Sequence, residues 1–83
     1  MYHFTTLLGK IDRIEQDIAN ARLAYLQGLS LTMNHHIRLA KVGIESLVDC
    51  QRVYWRSENQ LQDFLAEVMQ AELAEKESVE SES

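Results

Sequence analysis

FTTLLGKIDRIEQDIANARLAYLQ, residues 4–27, carries an unbroken apolar heptad pattern. Successive members are alternately three and four residues apart, which is the spacing of a helix that packs along another helix. They are Phe4, Leu7, Ile11, Ile14, Ile18, Ala21 and Tyr25. Gly28 then stands where a helix C-terminus favours a left-handed residue, with apolar Leu29 after it, as in a Schellman motif. We therefore predict a first helix over about residues 4–27.

The composition of the whole chain favours helix. The 83 residues include no proline and only three glycines, and no segment shows the sustained two-residue alternation of a half-buried strand. We predict an all-α fold: a helical hairpin of two long helices, with or without a short third one. We expect coiled-coil-like packing and an oligomeric protein, because a chain this short buries too little surface for a wide stability margin.

A second helix is predicted over about residues 31–56, with Ser30 or Thr32 as its N-cap. At 100° per residue its apolar side chains cover about 240° of the circumference, whereas an ordinary surface helix shows an apolar stripe of little more than 100°. One neighbouring helix cannot cover so wide a face. We therefore expect other helices on two sides of it.

Two interpretations remain open for residues 57–74. Ser57 and Gln60 have the spacing of a capping box, which would start a third helix. Alternatively the second helix continues to about residue 74, since no proline or glycine interrupts it. We favour continuation, which would leave an overhang that a second copy or another partner has to cover. In both cases residues 1–74 form one helical domain.

Negative charge is concentrated at the C-terminal end. Residues 1–56 have a net charge of +2 and residues 57–83 a net charge of −7. The last nine residues, EKESVESES, have almost no large apolar side chains, so they cannot bury enough surface to offset their ordering entropy. We predict an acidic disordered tail over residues 75–83.

The sequence offers little that resembles catalytic or metal-binding chemistry. His35 and His36 are adjacent, so on a helix they point about 100° apart and cannot chelate one ion together. Cys50, the only cysteine, lies among apolar residues, which favours a core thiol over a nucleophile. Phosphate-binding glycine loops and nucleophile elbows are absent from the sequence. We predict a protein that is not an enzyme and needs no cofactor or metal.

We predict instead a small protein–protein interaction module: an adaptor, assembly factor, chaperone or inhibitor acting through exposed apolar helix faces. Its partner would be a second copy of itself, a larger protein, or both. The residues we expect at the contact surface are Leu39, Val42, Val53, Trp55, Leu61 and Phe64. The single cysteine, and the lack of an export signal or an apolar run long enough for a membrane, favour a cytoplasmic protein without a membrane partner.

The alternative function is nucleic-acid binding through a basic stripe on the second helix. That stripe would consist of Arg38, Lys41, Arg52 and Arg56. Two acidic residues interrupt it, and the sequence pI of about 5.0 is opposite to the usual basic footprint of such proteins. We therefore rank this alternative second.

Overall fold

A computed structural model of the protein describes the backbone of residues 2–47 and 49–82, and the side chains of 7–47 and 49–78. Within these ranges the fold is all-helical. It contains α1 (Tyr2–Leu26), α2 (Ser30–Glu45) and α3 (Gln51–Glu82). The two connections are short, at residues 27–29 and 46–50. The all-α prediction is confirmed, although the third helix is the longest of the three and not a short one.

The turn between α1 and α2 is the Schellman motif that the sequence predicts. Gly28 has a φ of 72°, and the amide of Leu29 donates to the carbonyl of Ala24 at 2.8 Å while the amide of Gly28 donates to that of Tyr25 at 3.0 Å. Leu29 is also the N-cap of α2 and makes no side-chain capping bond, so the prediction that Ser30 or Thr32 caps this helix is wrong. The turn is tight: Leu29 is both the last residue of the Schellman motif and the N-cap of α2.

Small residues bring α1 and α2 close together. Ala21 and Ala40 are fully buried. An ideal Cβ added to Gly43 would lie 2.7 Å from Cγ1 of Ile14, closer than real Cβ contacts. Ile11, Ile14, Ile18 and Ala21 of the predicted heptad pattern are buried, Leu7 and Tyr25 are partly buried, and the Phe4 side chain lies outside the described residues. The predicted apolar seam of α1 therefore packs against the other helices of the same chain.

The second helix ends eleven residues earlier than predicted. α2 stops at Glu45, and the Ser46 hydroxyl donates to the carbonyl of Gly43 at 2.8 Å. The amide of Leu47 donates to the carbonyl of Ile44 at 3.0 Å, a tight turn that closes the helix. The prediction of one helix through residue 56 is wrong, and so is its continuation from there, because the chain reverses at residues 46–50.

The reversal returns α3 to the hairpin and completes the core. Leu61, Phe64 and Val68 of α3 are buried in the same apolar cluster as α1 and α2. The Phe64 ring meets the Tyr25 ring edge-on, with centroids 6.4 Å apart, and the Arg22 guanidinium carbon lies 5.4 Å from the Phe64 centroid. α3 therefore packs against the hairpin at the end where α1 stops.

Ser57 does not cap a helix. It lies inside α3, is only 1% exposed, and its hydroxyl oxygen has no hydrogen-bond partner. The capping-box prediction is therefore wrong: the helix has already begun at Gln51, and Ser57 is one of its core positions. A buried unpaired hydroxyl opposes folding, because it loses its bond to water and gains none in return.

Replacing Ser57 with alanine should raise the free energy of unfolding by about 1 kcal/mol, since it removes an unpaired polar group and improves helix propensity. Urea denaturation followed by circular dichroism measures the change. Gln70→Ala, at an exposed position of the same helix, reports the propensity contribution alone and should change stability by less than about 0.5 kcal/mol. A Ser57→Ala protein less stable than the wild type would mean that the hydroxyl has a partner after all.

The acidic end of the chain is helical where the sequence predicts disorder. α3 continues to Glu82, and the described side chains of residues 69–78 are all exposed. The composition of residues 75–83 predicts that they are not buried, and the described side chains among them, 75–78, are exposed. A helix can form without such burial. Glu and Ala are good helix formers, and Glu72 precedes Lys76 by four residues, the favourable order for an ion pair.

Candidate interaction surface

The six side chains that the sequence predicts as contact residues do not form one surface. Leu39, Val42 and Trp55 are exposed, Val53 packs partly against the core, and Leu61 and Phe64 are each only 2% exposed. Leu61 and Phe64 are thus core residues of the folded chain. The exposed part of the predicted set lies on α2 and at the start of α3.

One exposed apolar surface runs along α2, opposite its buried side. We define the outer face of α2 as Leu31, His35, Leu39 and Val42, which are spaced four, four and three residues apart. Leu31 is 86% exposed and Val42 is 59% exposed. The opposite side of the helix, with Met33, Ile37, Ala40 and Ile44, is buried. The outer face is exposed, which leaves three aliphatic side chains, with His35 between Leu31 and Leu39, in contact with water.

A second exposed apolar group surrounds the turn at Gly28. We call Leu26, Leu29 and Leu31 the hairpin tip. All three side chains are exposed, Leu26 by 79%. Leu26 and Leu31 lie outside the heptad seam and were not among the predicted contact residues. Their positions on either side of a capping glycine already place them at a turn, where no helix of the chain can cover them.

The C-terminal part of α3 projects beyond the hairpin tip. Phe64 contacts Tyr25 near the end of α1, and Val68, one turn later, is the last buried residue of α3. We call residues 69–82 the α3 extension, which at 1.5 Å per residue is about 21 Å long. The molecule accordingly has extents of 60 × 20 × 13 Å. Met69 and Leu73, which sequence reasoning did not select, are exposed apolar side chains on this extension.

Trp55 lies at the other end of α3, far along the helix from the extension. Its side chain is 67% exposed, and its carbonyl accepts a hydrogen bond of 2.9 Å from the Asn59 side-chain amide. Trp55 is therefore an exposed aromatic residue and not part of the core.

The four basic residues of the nucleic-acid alternative lie on two helices, because the chain breaks at residues 46–50. Arg38 and Lys41 belong to α2, and Arg52 and Arg56 to α3. The Arg56 guanidinium lies 3.7 Å from the Glu15 carboxylate of α1, and Lys41 lines a shallow cleft together with Glu45 and Glu58. The single basic stripe that the sequence predicts is therefore wrong.

The side chains most able to bind a metal are dispersed. His36 faces α1, with its Nδ1 3.7 Å from the Asp17 carboxylate, whereas His35 is exposed on the outer face of α2. Cys50 is a half-buried free thiol in the connection before α3, not on a helix as predicted. Among the side chains of 7–47 and 49–78, no group of three His, Cys, Asp or Glu residues is arranged to hold a metal ion. Over the same part of the chain, no helix combines the length and apolarity needed to cross a bilayer.

Comparison with known proteins gives no family to which this chain can be assigned. No protein-family model, no curated protein and no solved structure matches it. The function therefore has to be argued from the surface of the chain itself.

Proposed function

We propose that this protein is a protein–protein interaction module that acts by surface contact, as an adaptor, assembly factor, chaperone or inhibitor. Its contact surface consists of the outer face of α2 and the neighbouring hairpin tip. It works in the cytoplasm, as its single free cysteine favours, and its partner is a second copy, a larger protein, or both.

The observation that carries the proposal is the exposure of three aliphatic side chains, Leu31, Leu39 and Val42, on one face of a helix that is already buried on its opposite side. A three-helix chain gains nothing from Leu31 and Val42 in water, because each leaves apolar area hydrated. Single exposed leucines are common, but several large aliphatic side chains exposed on one face of a helix favour an interaction site. Arg38 and Lys41 lie beside these side chains and add a charged rim, the usual composition of a protein interface.

The nucleic-acid alternative is less well supported. Its basic residues are divided between two helices, and Arg56 already has an acidic neighbour in Glu15. The net charge of −5 repels a polyanion at long range. A gel-shift assay at low salt, where phosphate contacts are strongest, addresses this alternative directly.

Val42→Glu is expected to abolish partner binding, because it places a charge next to Leu39 on the outer face of α2 without touching the core. A tagged chain is used to capture proteins from the lysate of its native host, and the retained proteins are identified by mass spectrometry. We expect the wild type to retain a defined partner, and the variant to lose at least about 90% of it, equivalent to more than 1.4 kcal/mol.

Asn34→Glu is the matched control. It adds the same charge to the same helix at an exposed polar position outside the outer face of α2, so it should retain the partner. If the wild type captures no protein and also remains monomeric at every concentration by light scattering, the chain is not an interaction module.

A further inference from the structure

We propose that the outer face of α2 is covered by the α3 extension of a second copy of this chain, in a reciprocal twofold dimer. This inference rests on the proposed function and names the partner. Each copy would offer one acidic extension and one outer face, so that two equivalent contacts form at once, as twofold symmetry requires.

Charge favours this pairing over one between two extensions. The α3 extension has five glutamates and one lysine, a net charge of −4. α2 has a net charge of +1 from Arg38, Lys41 and Glu45, with His35 on its outer face. Two extensions packed against each other would bring like charges together, whereas an extension against α2 brings opposite charges together.

The lengths of the two elements also match. The 14-residue extension is about 21 Å long and the 16-residue α2 about 24 Å. The extension leaves its own chain at the hairpin tip. In a twofold dimer in which the two hairpin tips meet, this extension would pack along α2 of the second copy, from Ser30 towards Glu45. The same twofold rotation places the extension of the second copy along α2 of the first copy.

In this arrangement, apolar side chains of the two copies would lie next to each other. Met69 and Leu73, at the beginning of the extension, would lie near Leu31, and Glu77 would come level with Arg38 one to two turns further along. The exposed Leu26 and Leu29 of the two hairpin tips would face each other at the twofold axis. Pairing of the two tips would thus cover leucines that are exposed in the single chain. Burial of such apolar area on association stabilises small domains.

The arrangement is tested by charge reversal on each side of the contact, with the full chain and mass measured by light scattering. The first variant combines His35→Glu with Arg38→Glu, and the second combines Glu72→Lys with Glu77→Lys, which flank Met69 and Leu73 on the helix; all four side chains are exposed. We expect the wild type to be a dimer at low micromolar concentration. Each variant alone should raise the dimer dissociation constant at least about tenfold.

An equimolar mixture of the two variants should restore the dimer, because each charge then meets its opposite again. Restoration also shows that both variants fold. Arg13→Glu combined with Gln16→Glu is the control: it changes the net charge as the first variant does, at exposed positions of α1, and should leave the dimer intact.

Three results would overturn the inference. The first is a wild type that stays monomeric, and the second is a dimer whose dissociation constant neither charge-reversal variant changes. The third is protection of Trp55 from acrylamide quenching on dimerisation, because Trp55 lies far from the proposed contact. A monomer that still captures a host protein through Val42 leaves the proposed function standing, whereas one that captures nothing defeats both.

Discussion

Phe64→Ala should lower the free energy of unfolding by about 3–5 kcal/mol, the range for removing a buried phenylalanine. Phe64 is 2% exposed and joins α3 to the end of α1 through the Tyr25 ring and the Arg22 guanidinium. Alanine would leave a cavity at this junction. Because small domains have only about 5–15 kcal/mol of stability in total, the variant should be largely unfolded at low urea concentration or at 37 °C.

Trp55→Ala is the matched control, since it also removes a large aromatic side chain from α3. Trp55 is 67% exposed and contributes little to the core, so the free energy of unfolding should change by less than about 0.5 kcal/mol. Circular dichroism at 222 nm is the readout, because it does not depend on the tryptophan. Equal losses for the two variants would show that α3 does not pack with its Phe64 side against the hairpin.

Gly43→Ala should destabilise the protein by up to about 2 kcal/mol, although alanine is normally the better helix former. The added methyl group would lie 2.7 Å from Cγ1 and 3.3 Å from Cδ1 of Ile14. Ile14 is 2% exposed, so its side chain has no free space into which to rotate. Overpacking of this kind costs about 1–3 kcal/mol, more than the roughly 1 kcal/mol gained in helix propensity.

Gly9→Ala provides the opposite expectation in the same fold. A Cβ at Gly9 meets nothing within 4 Å, so only the propensity gain remains, and the free energy of unfolding should rise by up to about 1 kcal/mol. Urea denaturation of the two variants side by side measures the difference in sign. If both substitutions stabilise the protein, α1 and α2 are further apart at Gly43 than described.

Local chemistry was sufficient to predict α1 and the turn after it. The seam of Ile11, Ile14 and Ile18 follows from apolar spacing alone, and Gly28 takes the left-handed conformation that a Schellman motif requires. Both features depend on residues close together in sequence. They therefore could be derived without knowing what packs against them.

Leu39 and Val42 were predicted as contact residues and are exposed on α2. The apolar width of about 240° behind that prediction was counted over residues 31–56, and part of it belongs to α3, because α2 ends at Glu45. Leu61 and Phe64, by contrast, were expected at a contact surface and lie in the core. The prediction failed because it continued the second helix beyond residue 50, which would have placed Leu61 and Phe64 too far from α1 to contact it.

What the sequence by itself determined, then, is the helical class, the first helix and its capped turn. The reversal at residues 46–50 was decided by tertiary structure. Ser, Val, Asp and Cys in this segment are only weak helix formers, and neither proline nor glycine forces a break. Bending there costs a few helical hydrogen bonds. In return Leu47, Leu61 and Phe64 are buried against α1 and α2, and that gain exists only once the hairpin has formed.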